Sequence, residues 1–239
     1  MFQHQGKARS NRHNVHIAIF LSFIAGMVNM CGIFELRTLI TNVTGHFAWL
    51  TNGALNMDYS IVITLLAYLL AFLLGSFTSG VLIEWMISKK KMNIYVLPTL
   101  LEAAVLMLVP ILSVTSDSVP NELLASLLLM AMGVQNAFVT KISNAVVRTT
   151  HLTGLFTDLG IELSQLCFKQ NIDTQSKNIS TIKLRLNIIT FFFLGGIAGG
   201  FVYYSIQIYT LIMAAIILLS GLIFDALHFR YVKRLLRIG

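Results

Sequence analysis

Two segments of the chain combine residue types able to hold a ligand. Residues 41–50 read TNVTGHFAWL and residues 150–159 read THLTGLFTDL. Identity falls at Thr41/Thr150, Thr44/Thr153, Gly45/Gly154, Phe47/Phe156 and Leu50/Leu159. A Thr hydroxyl makes a good N-cap because it accepts from an unpaired N–H of the first helical turn. Glycine beside it permits close backbone approach. A short helix starting at Thr44, and another at Thr153, would each carry free N–H groups at its tip. Such tips are partly positive and favour an anion or another electron-rich group. Thr44, Gly45, Thr153 and Gly154 are therefore substrate-binding candidates, although cap-and-turn punctuation uses the same residues. His46 and His151 flank the two steps without being equivalents, since His151 aligns with Asn42 and His46 with Leu155. Neither has partners at metal-ligand spacing, which points to hydrogen bonding and to no metal. Arg37 and Arg148 precede the steps at unequal offsets and are secondary candidates for adding charge.

Polar residues inside apolar runs come next. Asn29, Asn136 and Gln135 must find partners if they lie in lipid. They either bridge helices or line a cavity beside the Thr-Gly tips. Glu102 sits well inside an apolar run and is a proton-coupling candidate, because an ionisable residue there is a functional suspect by default. Asp158 and Glu162 share one face at i,i+4, for a cation or for solvation. No Gly-x-Ser-x-Gly, paired intramembrane aspartates or His-Glu-x-x-His accompanies them, so catalytic residues are none and an intramembrane enzyme is the least favoured class. Cys31 and Cys167 have no C-x-x-C spacing, and no cofactor is implied.

These candidates recur in order with their surroundings. Gly26-x-x-Asn29 matches Gly133-x-x-Asn136 upstream of the Thr-Gly steps. Downstream, Gly75-Ser76-x-x-Ser79-Gly80 matches Gly195-Gly196-x-x-Gly199-Gly200. These small residues fit close helix packing between the halves, with Gly75, Gly80, Gly195, Gly196, Gly199 and Gly200 as contact points.

The elements that must position them are long and apolar. Of the 239 residues, 56% are hydrophobic and 11% charged, against ~25% charged in soluble domains. The mean hydropathy is +0.78. This excludes a soluble enzyme, a disordered tail and a disulfide scaffold, and leaves an integral membrane protein. Six runs approach the ~20 residues a crossing helix needs, at 17–34, 60–83, 94–114, 123–140, 186–204 and 206–224. The last two join in a hairpin with its tip at 203–207. The first is long for a signal h-region and is expected to be retained. Residues 38–57 are too polar for a lipid-facing span. Counting them as a seventh would move Lys89, Lys90 and Lys91 to the wrong side of the positive-inside rule.

With both termini cytoplasmic, all Lys and Arg residues except Arg37 fall inside, while Asp117 and Glu122 lie outside. Three spans per unit is an odd number, so the second unit is inverted relative to the first, a plan common in transporters. The expectation is an all-α integral membrane protein: six transmembrane helices as two inverted three-helix repeats, each with a broken or re-entrant Thr-Gly segment. One membrane domain covers 1–239, with repeats at 17–114 and 123–227. A basic cytoplasmic tail at 228–239 is suited to anionic lipid headgroups. The net charge of +7 accompanies no nucleic-acid-binding motif. The partners expected are the bilayer and a small solute, with no nucleic acid; six spans are few for a transporter, which leaves a homodimer open.

AMGVQNAFV (131–139), TTHLTGLFTDLG (149–160) and TNVTGHFAWL (41–50) resemble the YoaK-like family of bacterial multi-pass inner-membrane proteins, domain of unknown function 1275. The resemblance spans most of the chain and implies a bacterial inner-membrane location with no established substrate. The sequence departs from the family pattern at Asn29, where an acidic residue is usual, and at His46, where Asn is usual. If that acidic residue couples protons in relatives, the function is lost here. The function expected is a permease or channel-like transporter for a small, anion-like solute held between the Thr-Gly segments. A non-transporting scaffold or lipid-interacting protein is the alternative.

Overall fold

The computed structural model describes residues 11–89, 94–115, 118–169 and 171–238, with only the backbone described at 11–13, 226 and 228–238. Lys7, Arg9, Lys90, Lys91 and Asp117 therefore lie outside the described residues, as do the side chains of Arg12 and of the basic tail. Among the described residues the chain is all helix, without strands. The elements are α1 (Asn11–Leu36), α2 (Val43–Leu55), α3 (Tyr59–Ser88), α4 (Val96–Thr115), α5 (Asn121–Ile142), α6 (Leu152–Leu166), α7 (Ile172–Ile206) and α8 (Thr210–Ile238). Long apolar runs become helices because a helix satisfies every backbone N–H and C=O internally.

Five stretches are long and apolar enough to cross a membrane: Asn14–Leu36, Tyr59–Ser88, Val96–Thr115, Asn121–Ile142 and Ile172–Asp225. The last has 54 residues and contains both α7 and most of α8. The chain breaks between them at Gln207, whose φ of 50° and ψ of −135° end α7, and a 3-10 turn at Gln207–Tyr209 follows. The bend expected at 203–207 thus falls at its last residue, and α7 runs on through Tyr203 to Ile206. The opposite end of α7 also differs from the sequence reading. Its first turn is at Ile172, well before residue 186, with Asp173 placed to favour the positive helix start. The polar 172–185 stretch is helix because its Lys, Gln and Arg are good helix formers when their heads reach water.

α2 and α6 have 13 and 15 residues. At ~1.5 Å per residue they are ~20 Å long, well short of a ~30 Å hydrocarbon core.

Glycine contacts fix the pairing of the long helices. A Cβ at Gly195 would fall on the Phe23 carbonyl, and one at Gly199 would lie 2.7 Å from the Met27 Cα. Tyr203 Oη donates to Glu35 Oε2 at 2.6 Å. The numbering rises together on both helices, so α1 and α7 are parallel. Likewise a Cβ at Gly75 would meet the Met130 carbonyl, and one at Gly133 would meet the Phe72 carbonyl. Lys141 Nζ lies 2.6 Å from Glu84 Oε1 further along, so α3 and α5 are parallel too. Gly221 of α8 rests on the Phe20 ring, towards the start of α1, so α8 runs back against α1.

The first long helix of each half of the chain thus packs against a helix of the other half. α1 packs on α7 and α5 packs on α3, with α4 beside α5 and α8. Gly80 stands apart from this contact, since a Cβ there would meet nothing within 4 Å. Gly196 and Gly200 also differ from the expectation of tight packing. A Cβ at Gly196 would find only the Gly26 carbonyl, at 3.8 Å, and one at Gly200 only side chains of Phe34 and Met30.

The interior is built from Ile17, Leu21, Ile24, Leu106, Leu128 and Phe138, among others. Leu73, Phe77, Phe193 and Phe201 face outward and are mostly exposed, as a lipid surrounding would require.

One matched pair of positions differs in chemistry between the halves. The Phe34 and Tyr204 rings meet tilted by 45°, with centroids 5.5 Å apart. At the equivalent places in the other half stand Lys141 and Glu84, which form the ion pair.

Candidate functional site

The site begins with the amides one turn beyond Gly26 and Gly133. Asn29 Oδ1 accepts from Thr41 N at 3.2 Å and from Thr41 Oγ1 at 3.0 Å. Thr150 Oγ1 donates to Asn136 Oδ1 at 2.8 Å. Asn136 Nδ2 also donates back to the Met132 carbonyl, at 2.9 Å. Each long helix thereby ties down the strap of chain leading into the short helix that follows it. An amide suits the task because it accepts and donates at once in surroundings with little water.

The short helices start one residue earlier than the sequence suggested, at Val43 and Leu152, and their N-cap positions lie two residues before Thr44 and Thr153. Asn42 caps α2, its Oδ1 accepting from Gly45 N at 3.0 Å. Thr44 and Thr153 are therefore inside the first turn rather than at the cap. Asn is at least as good a cap as Thr, and its longer arm reaches back over the turn. His151 holds the equivalent place before α6, and a Cβ at Gly154 would run into its ring. A Cβ at Gly45 would come 2.6 Å from Asn42 Nδ2. The two glycines leave space for the side chains at the N-cap positions, of which Asn42 caps its helix by a side-chain hydrogen bond and His151 does not.

A single cavity of about 580 Å³ lies between these parts. Thr41, Thr44 and Asn29 line it from one half, and Thr150, Thr153 and Asn136 from the other. Phe72 and Phe192, equivalent residues three before Gly75 and Gly195, also line it. His151 and Arg148 complete the polar wall. Arg148 reaches it because the second strap is longer. α1 turns at Arg37 (φ 52°) and α5 at Asn144 and Ala145 (φ 51° and 63°), but Thr150 lies further beyond its turn than Thr41 does. Arg37 holds the turn and stays outside the cavity lining.

Other candidates sit elsewhere. His46 is buried behind α2, its Nε2 2.8 Å from the Leu39 carbonyl and its ring edge-on to Tyr68 at 5.4 Å. Gln135 faces α1 instead of the cavity, donating to the Leu21 carbonyl at 3.2 Å and to Thr149 Oγ1 at 3.1 Å. Its Oε1 is buried without a hydrogen-bond partner among the described residues. Glu102 is wholly buried in α4, and both its oxygens likewise lack hydrogen-bond partners there. It does not line the cavity. Asp158 and Glu162 are both bound by Arg185, each at 2.9 Å. Among the described residues no three His, Cys, Asp or Glu side chains are placed to hold a metal ion, and both cysteines are free, Cys31 buried and Cys167 exposed.

A second cavity, of about 570 Å³, adjoins the first and shares Arg148 and His151 with it. Arg185, Asp158 and Thr181 form its far wall. The aromatic lining, Phe72 and Phe192, escaped the sequence reading. The repeat alignment carried the signal, since both precede the matched glycines by three residues.

No curated protein and no solved structure matches the chain. A family model described as "Protein of unknown function (DUF1275)" matches residues 17–224. That covers nearly the whole helical bundle, both Thr-Gly segments included, and the chain belongs to the DUF1275 family.

Proposed function

We propose that the protein is a small multi-pass permease or channel-like transporter for a small anionic solute, bound between the two Thr-Gly helices. The supporting observation is the shared cavity, to which both halves contribute the same Asn, Thr and Phe set. The N-terminal turns of α2 and α6 meet there, and Arg148 supplies a full positive charge. In this reading α1, α3, α4, α5, α7 and α8 cross the bilayer as two inverted units. α2 and α6 enter from opposite faces without crossing. Near-equivalent halves that exchange their first long helices can trade inward-open for outward-open forms, as inverted-repeat transporters do. The positive-inside rule puts both termini in the cytoplasm of a bacterial inner membrane. A sealed scaffold would have little use for a polar cavity at its centre.

The test is flux in proteoliposomes, with labelled phosphate, sulfate, acetate and chloride offered under both signs of membrane potential. Flux of at least one anion above that of empty vesicles is expected. Arg148→Gln and Thr44→Val should each lower it about tenfold, the loss of ~1.4 kcal/mol of binding, with melting temperature unchanged. Rates equal to empty vesicles across the panel would defeat the proposal.

A further inference from the structure

A third cavity, of about 630 Å³, runs along the outside of α1 and α7. Its character is opposite to that of the polar cavity. Met30 and Phe34 of α1, Phe193, Phe201 and Tyr204 of α7, and Phe156 of α6 are among its lining residues. Gly196 and Gly200 form part of its floor, which explains why a Cβ on either would meet so little of α1. From Ile189 to Tyr204 the groove follows α7 for about 22 Å, at ~1.5 Å per residue. The groove adjoins the polar cavity, and Asn29, Leu152 and Phe192 line both.

An apolar groove suited to a chain thus borders a polar chamber lined by Arg148, His151 and the Thr residues of two helix starts. A small inorganic anion makes no use of the groove, and a hydrocarbon makes no use of the chamber. We infer that the adjoining cavities accept a single-chain anionic amphiphile of the fatty-acid class, its acyl tail in the α1–α7 groove and its carboxylate in the Thr-Gly cavity. This deepens the proposed function and rests on it, since it takes the polar cavity as the solute site. The tail reaches the groove sideways from the bilayer, where such amphiphiles are dissolved. The matched positions of the other half carry different side chains. Ser76, Asn136, Ala137 and Lys141 there line a more polar cavity, with Ala137 and Lys141 in place of Met30 and Phe34.

The experiment uses the full chain in nanodiscs with a palmitate analogue carrying a diazirine near the end of its tail. Photolysis should mark α1 or α7 peptides between Met30 and Phe34 or between Phe193 and Tyr204. Unlabelled palmitate should suppress the adduct, and acetate should not. Gly196→Leu, whose Cβ would meet the α1 backbone only at the Gly26 carbonyl, 3.8 Å away, should lower labelling about tenfold, equivalent to ~1.4 kcal/mol. Gly200→Val serves the same purpose if the first variant does not fold.

Even labelling of all lipid-facing helices, insensitive to either variant, would overturn the inference. So would equal competition by acetate, or a groove variant that turns a dimer into a monomer, which would make the occupant a second copy. Anion flux in vesicles without palmitate labelling would refute the amphiphile alone and leave transport standing. Groove labelling without flux of palmitate or any anion would retain the amphiphile site and refute transport.

Discussion

Asn29 Oδ1 accepts two hydrogen bonds from Thr41, one from its backbone nitrogen and one from its hydroxyl. A single amide thus holds the strap between α1 and α2 against the side of α1. Asn29→Leu leaves the half-buried Thr41 groups without that acceptor. The expected cost is about 1–2 kcal/mol, read as a lower unfolding midpoint in detergent. Thr41→Val removes only the hydroxyl bond and costs less. The double variant should show coupling of about 1 kcal/mol, and simple additivity would show that the contact carries no energy.

The glycines of one sequence pattern should respond in opposite ways. Gly75→Ala and Gly195→Ala drive a methyl into a main-chain carbonyl of the facing helix, and the helices must separate. Each should lose about 1–3 kcal/mol. Gly80→Ala meets open space and should gain up to about 1 kcal/mol through helix propensity. Parallel thermal melts of the three variants check this, and equal losses at all three would count against the helix pairing.

Glu102 buries both carboxylate oxygens in α4 with no hydrogen-bond partner among the described residues. A polar group kept that way is costly, so Glu102→Met should raise stability by about 1–3 kcal/mol. If Glu102 also couples protons, the same variant will transport with a flattened dependence on external pH. A stable variant with an unchanged pH profile would assign the residue no part in coupling.

Ala145 adopts φ 63° in the turn after α5. The left-handed region costs a residue with a Cβ about 1–2 kcal/mol. Ala145→Gly should therefore stabilise the protein by about 1 kcal/mol once glycine's greater unfolded entropy is subtracted. Chemical denaturation gives the sign directly.

The matched contacts of Gly26/Gly133 and Asn29/Asn136 were legible in the sequence because each pair does the same local work. Spacing alone can register that. Which half each glycine touches was not legible, because the partner of a small residue depends on how the helices are exchanged. Gly196 and Gly200 read as packing residues for this reason, yet they floor a groove. The start of α7 was missed because apolarity marks where lipid begins and is silent on a helix that continues into water. Thr44 was read as a cap because Thr caps well, but Asn42 stands two residues earlier and reaches the free N–H first. Arg148 separated from Arg37 only in three dimensions, through a strap of different length.

The Phe34–Tyr204 ring contact and the Lys141–Glu84 ion pair occupy matching sequence positions in the two helix pairs, α1 with α7 and α3 with α5. Contact between aromatic rings is nearly indifferent to ionic strength, whereas an exposed ion pair weakens as added electrolyte screens it. Raising the electrolyte concentration will therefore loosen the two ends unequally. If the protein opens as the proposed permease, the end held by the Lys141–Glu84 pair should yield to added salt before the end held by the two rings.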